Sequence, residues 1–259
     1  MIMHILPLLV FTTFSGLAAG VAVFRAIVPT KSTDGKLAWM MPAISIILLA
    51  VGLLGTLAHL GQPLRFINGL SNPGSMIAQE AYWSIGFGIL LAIDFVLAKF
   101  KNASNKVVAG LAAIAAIGLM IVTSLAYFKS IGMPTWNTAA AIPFFAVGDL
   151  AAGAGLAMLL MQLFGDRNDS LEAAHKVSIG IQVAWLAAIA GIITHFALIG
   201  ADTVGILIAG IALGPIACAA VSFAALKGVL KPQPAVIALA AFGFVALVIV
   251  RYAFFIVGA

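Results

Sequence analysis

Charge is what this sequence has least of. Only 8% of its 259 residues are Asp, Glu, Lys or Arg, while 64% are hydrophobic and the mean hydropathy is +1.21. Soluble domains carry about 25% charged and ~45–50% apolar residues. A chain so poor in charge cannot cover itself with a polar surface, which excludes a soluble enzyme, a disordered segment and a nucleic-acid-binding domain. Cysteine is nearly absent as well: Cys218 is the one thiol, set within an apolar run. One thiol makes no intrachain disulfide and holds no iron–sulfur cluster of its own. Basic residues are missing from positions 1–24, the first being Arg25. A secretory signal carries its positive charge before the apolar run, so the first stretch reads as an uncleaved span with its N-terminus outside. No internal repeat and no polar linker divides the chain, so 1–259 is expected to be one integral membrane domain.

What is present is apolar length. Eight stretches, approximately 5–24, 39–58, 77–98, 107–127, 140–164, 177–198, 204–226 and 235–257, each reach the length of a spanning helix. A hydrocarbon core of ~30 Å takes about 20 helical residues. The breaks between them are rich in turn formers, as in Pro29-Thr30-Lys31-Ser32-Thr33-Asp34-Gly35 and Lys101-Asn102-Ala103-Ser104-Asn105-Lys106. The expected fold is all-α, a polytopic bundle of eight transmembrane helices in a bacterial cytoplasmic (inner) membrane. Glycine and alanine in the seventh and eighth spans suit close helix packing.

The sparse cations are distributed unevenly. Ten of the 13 lysines and arginines fall after the odd-numbered spans, and two, Arg65 and Lys129, on the opposite side. Because positive loops stay in the cytoplasm, both termini are expected to be periplasmic, with the loops after spans 2, 4 and 6. The net charge of +5 thus reads as a topology signal and not as a nucleic-acid surface.

On that map the polar residues collect at one face. His59 closes span 2, Glu80 opens span 3, His195 lies near the end of span 6 and His4 near the start of span 1, all at the outer side; His175 is the inner-side histidine. Titratable groups at membrane depth mark functional sites. Taken singly, each has an ordinary reading too: His59 as an interfacial cap, Glu80 as a charge favoured by a helix N-terminus, His195 as a structural hydrogen-bonding group. Trp39 and Trp136 read as interface anchors. The segment from His59 to Ser75 mixes turn formers with Leu64, Phe66, Ile67 and Leu70. A merely solvated connector would be more polar, so this segment is expected to fold back over the helix ends and roof a pocket. Asp94 sits close enough to the inner side to reach the interface. Asp149 and Arg251 are deeper, and pairing with each other is the expected way to hold two such charges in hydrocarbon.

A histidine, a carboxylate and an apolar pocket at the membrane edge suit quinol oxidation. A quinol has two hydroxyls and a lipid-soluble tail, and loses two electrons and two protons. A neutral imidazole, with an unperturbed pKa of ~6.5, accepts one proton, and a nearby carboxylate accepts or relays another.

These residues resemble a known family. His59-Leu60-Gly61-Gln62-Pro63-Leu64-Arg65, Glu80 early in the next span, Pro134-Thr135-Trp136 before span 5 and Arg251 in the last span look like the membrane anchor subunit of anaerobic dimethyl sulfoxide reductase. Related anchors of polysulfide and nitrite reductases share a similar loop, and the Pro-Thr-Trp element favours the first family. The resemblance implies a subunit that oxidises menaquinol from the quinone pool and passes electrons to an iron–sulfur subunit, which feeds a molybdopterin catalytic subunit. It places His59 and Glu80 in the quinol site, with Arg65 as a third member and no bound metal. Asp149 has no counterpart in the family pattern. The partner's docking surface is expected on the outer loops around Arg65, Lys129 and Trp136. Two other readings fit the composition: a haem-b cytochrome subunit using His59 and His195, and a transporter, although no paired break at mid-membrane supports the latter.

Overall fold

The computed structural model describes residues 2–28, 35–59, 66–165 and 171–257. Within them the chain is helical, with no strand. Eight helical stretches are long and apolar enough to cross a membrane: Ile5–Ile27, Lys36–Leu57, Met76–Lys101, Lys106–Phe128, Ala141–Phe164, Glu172–Leu198, Val204–Leu226 and Pro232–Ile256. The protein is therefore a multi-pass membrane protein. In chain order the elements are α1 (Ile2–Ile27), α2 (Lys36–His59), the short α3 (Phe66–Leu70), α4 (Met76–Lys101), α5 (Lys106–Phe128), α6 (Ala141–Phe164), α7 (Glu172–Leu198), α8 (Val204–Ile211), α9 (Ala217–Leu226) and α10 (Pro232–Ile256). A π-helical turn, Ala212–Ile216, joins α8 to α9, so the seventh crossing is one helix with a bulge at Pro215. Proline cannot donate the helical bond, and the wider turn accommodates its ring.

Local chemistry sets the boundaries. Asn102 ends α4 in the left-handed region with φ 50°, a conformation asparagine tolerates better than most residues. Three residues later the Asn105 side chain caps α5 by accepting from the backbone N–H groups of Val107 and Val108. Ser75 caps α4 by accepting from Ala78 N–H at 3.1 Å. Pro232 occupies the first turn of α10, where no N–H is required.

Two buried clusters hold the helices together. One joins α1, α6, α7 and α10 around Phe24, Phe145, Trp185 and Phe254; the other joins α1, α4 and α5 around Ala19, Phe87, Ala116 and Leu119. Helix α1 contributes to both. Its contact with α6 is backbone against backbone: a Cβ on Gly153 would overlap the main chain at Gly20, and one on Gly155 would meet the Leu239 carbonyl of α10 at 2.6 Å. In lipid, where apolar burial drives helices together only weakly, such close approach supplies the dispersion contact. The tightest contacts thus belong to the fifth crossing. The seventh, whose Gly210 meets Val250 of α10, also depends on small residues.

At one face of the bundle the connectors are tied by charge. Arg25 of α1 pairs with buried Asp94 of α4 at 2.6 Å and also donates to Ser104 and to the Ala38 carbonyl. That carbonyl is free because Pro42, one turn on in α2, has no N–H to give it. Lys99, one of several lysines at this face, lies 3.7 Å from the centre of the Trp39 ring. Asp94 is therefore paired within the protein and does not extend to solvent as an isolated interfacial acid.

The glycine contact generates an expectation. Gly153→Val puts an isopropyl group into the main chain of α1, and overpacking of this kind costs about 1–3 kcal/mol or more. The purified variant should melt well below wild type in a detergent thermal-stability scan; Gly180→Val on α7, where a Cβ meets open space, should leave the melting point nearly unchanged.

Candidate functional site

The face opposite the Arg25–Asp94 pair carries a cavity of about 190 Å³ between α1, α2, α4 and α5. Pro7, Leu8, Phe11, Leu53 and Ile77 give it apolar walls, and Thr56, Glu80, Ser84 and Tyr127 give it polar points. A dry cavity of ~150 Å³ already takes a benzene ring, so the volume admits an aromatic headgroup. Ile77 at the rim is 55% exposed, on the side where lipid would lie.

Each polar point has a local cause. Glu80 stands in the second turn of α4, which Ser75 starts, and its carboxyl has the Thr123 hydroxyl of α5 as hydrogen-bond partner. The hydroxyls of Thr56 and Ser84 are buried and have no partner, although both line the cavity. An orphaned buried hydroxyl costs about 1–3 kcal/mol, and a ligand oxygen in the cavity would relieve both. Tyr127 closes the end of the cavity. Its ring stacks on Phe145 with centroids 4.7 Å apart and meets Trp136 and Phe254 edge-on.

Trp136 takes part in that wall. Its indole N–H donates to the Phe254 carbonyl at 3.1 Å, and its ring stacks on Phe254. The Pro134-Thr135-Trp136 element thus clamps the end of α10 to α5. Trp136 itself is half-buried, whereas Met133, Pro134 and Asn137 of the same loop are exposed. Lys129 is exposed as expected.

The expected site residues are placed as follows. Glu80 lines the cavity. His59 ends α2, and its side chain lies outside the described residues, as do Arg65, the Leu60–Arg65 loop and the side chain of His4. Beyond that loop, α3 is tied to α4 by the Tyr82 hydroxyl, which donates to the Leu70 carbonyl. Ile67 of α3 is 72% exposed, so this part of the segment contributes no lid residue from Ile67. His195 is half-buried against Phe196, and it is not among the cavity residues. The residues that sequence reasoning missed are Thr56, Ser84, Thr123 and Tyr127. Their signal was positional: Thr123 and Tyr127 are one turn apart at the end of span 4 that lies beside Glu80.

Behind the cavity lies the deep ion pair. Arg251 of α10 pairs with Asp149 of α6, and both are almost completely buried. The guanidinium also sits 4.7 Å from the centre of the Phe145 ring. Gly16 of α1 makes room for the carboxylate, since any Cβ there would overlap it. The pairing expected from the depths of the two residues is what the structure shows.

The sequence model for the DMSO reductase anchor subunit (DmsC) family matches residues 1–250 of the chain. The protein belongs to that family. Among curated proteins no match is found. Membership makes this chain the membrane anchor of a DMSO reductase-type complex, and an anchor of this kind implies partner catalytic and iron–sulfur subunits.

In this anchor subunit, removing one member of the deep pair leaves the other charge uncompensated, at a cost of about 3–5 kcal/mol. Arg251→Leu should therefore greatly lower the melting point and yield of the purified subunit, and the double variant Asp149→Leu/Arg251→Leu should recover a substantial part of the loss. Equal destabilisation of the single and double variants would show that the pair is not coupled.

Proposed function

We propose that this anchor oxidises menaquinol in the Glu80 cavity and hands the two electrons to the iron–sulfur subunit of its complex, as part of anaerobic respiration. The observation that carries this reading is the pairing of an apolar, headgroup-sized cavity with a carboxyl and two unpartnered hydroxyls. Apolar walls hold the ring, and the few polar groups orient it. Thr56 and Ser84 meet the quinol oxygens, and Glu80 takes one of the two hydroxyl protons. His59, at the end of the helix that carries Thr56, is assigned the other, and Arg65 is assigned to the same pocket. Menaquinol thereby becomes menaquinone, losing two protons to the protein and two electrons to the partner. No cluster belongs to this chain; iron–sulfur clusters and molybdopterin are assigned to the partner subunits.

The charge distribution supports an inner-membrane orientation with the Glu80 face and both termini outside. The partner then docks on the Glu80 face, because electron transfer needs a short path from quinol to cluster. The whole chain is assigned to a single integral membrane unit, since α1 is shared between both buried clusters.

The test uses the assembled complex. His59→Leu and Glu80→Gln should lower menaquinol-dependent reduction at least ten-fold, a loss of ~1.4 kcal/mol or more in transition-state stabilisation, while activity with an artificial electron donor persists. Unchanged menaquinol activity in both variants would remove this site assignment. Sidedness is checked separately: in intact spheroplasts, a cysteine at exposed Ile131 should react with an impermeant thiol reagent, and one at exposed Asn102 should not.

A further inference from the structure

The cavity beside Glu80 has room for a ring and little more. Its volume of about 190 Å³ admits an aromatic headgroup, so a long chain attached to that ring has to lie elsewhere. Among the described residues, four seams between helices bound the cavity, and three of them are closed. Between α1 and α2, a Cβ on Gly52 would lie 2.9 Å from the Ser15 backbone nitrogen, and one on Gly55 would lie 3.3 Å from that of Phe11. Between α1 and α5, the groove along Thr12, Ser15, Leu119 and Thr123 has no space for a water molecule. Between α4 and α5, the Trp83 ring covers Gly118 so closely that any Cβ there would overlap it. Nearer the cavity, Thr123 hydrogen-bonds Glu80 across that same seam.

The fourth seam, between α2 and α4, differs. A Cβ on Gly88 would touch Leu49 at 3.4 Å, so the two helices pack below the cavity. Leu49 and Gly88 each lie four residues, ~6 Å of helix rise, beyond the cavity residues Leu53 and Ser84. At the level of the cavity, Leu53 of α2 and Ile77 of α4 form its wall. Ile77 is 55% exposed, and Leu54, beside Leu53, is 64% exposed. By contrast Phe11, Ala81, Ser84 and Tyr127 are buried. Ile77 is thus cavity wall and outer surface of the bundle at once. The side chains at this rim are hydrocarbon, which suits a chain lying in lipid and not a polar ligand entering from water.

We infer that the cavity opens sideways into the bilayer between α2 and α4, and that the polyprenyl tail of the quinol leaves through this seam over Leu53 and Ile77. The inference rests on the quinol reading of the cavity and adds the route by which a tailed substrate reaches it. The ring sits among Thr56, Glu80 and Ser84, while the tail stays in lipid. Leu53 and Ile77 are positioning residues here: they shape the exit and take no part in proton transfer.

Two readouts on the assembled complex test the inference. The first compares kcat/KM for long-tailed menaquinol with that for tail-less menadiol. Ile77→Trp fills the seam, and the ratio of tailed to tail-less activity should fall several-fold, through a raised KM for the tailed substrate. Ile77→Ala, which widens the seam, should keep the wild-type ratio. Activity with an artificial electron donor establishes that both variants assemble. The second readout uses a menaquinone analogue with a diazirine on its first isoprene unit. Its adducts should fall on Leu53, Leu54 or Ile77 and be competed away by unlabelled menaquinone. A ratio that Ile77→Trp leaves unchanged, or competable tail adducts confined to α1 or α5, overturns the tail route while the quinol site stands. A wild-type complex that oxidises neither quinol overturns the quinol reading itself, and the tail route with it.

Discussion

A charge inside a membrane must find its opposite inside the protein, and this requirement organises the bundle. Water is absent from the hydrocarbon, so an isolated carboxylate or guanidinium there is expensive. Two pairs meet the requirement. Arg25–Asp94 ties α1 to α4 near one face, and Asp149–Arg251 ties α6 to α10 at depth. Helix α1 serves both, since it donates Arg25 to the first and leaves space at Gly16 for the carboxylate of the second. The glycine-to-backbone contacts of α6 follow from the same need: the helix that carries Asp149 must approach its neighbours closely enough to exclude lipid from the pair.

With those charges matched, Glu80 stands apart chemically. Its described partner is a hydroxyl, Thr123, and not a cation. It faces a cavity with two hydroxyls that lack partners. The aromatic cluster of Tyr127, Phe145, Trp136 and Phe254 joins the two regions. Tyr127 closes the cavity while stacking on Phe145, the same ring that lies beneath the Arg251 guanidinium. One aromatic wall therefore borders the cavity on one side and the ion pair on the other.

Much of this was legible in the sequence because membranes simplify the problem. Length and hydropathy alone mark the eight crossings, and depth alone pairs Asp149 with Arg251. Glu80 stood out as a carboxylate at a span's edge. Arg25–Asp94 was less legible: it depends on a tertiary meeting of α1 with α4 and on the carbonyl that Pro42 frees in α2. The contacts of Trp136 were not legible either, since only the tertiary fold brings its N–H to the Phe254 carbonyl and its ring to an aromatic stack. The hydroxyls of Thr56 and Ser84 could not be singled out, since serine and threonine within apolar helices commonly bond back to their own chain, as Ser124 does to Met120. Only the fold shows which hydroxyls are left open to a ligand.

The central claim is that quinol occupies the cavity between α1, α2, α4 and α5. A photoreactive menaquinone analogue, cross-linked to the assembled complex and mapped by mass spectrometry, tests it most directly. The account predicts adducts in the α4 segment from Ile77 to Ser84 and around Phe11 or Tyr127, competed away by unlabelled menaquinone. Competable adducts confined to the Arg25–Asp94 face, or to the partner subunits, would contradict it.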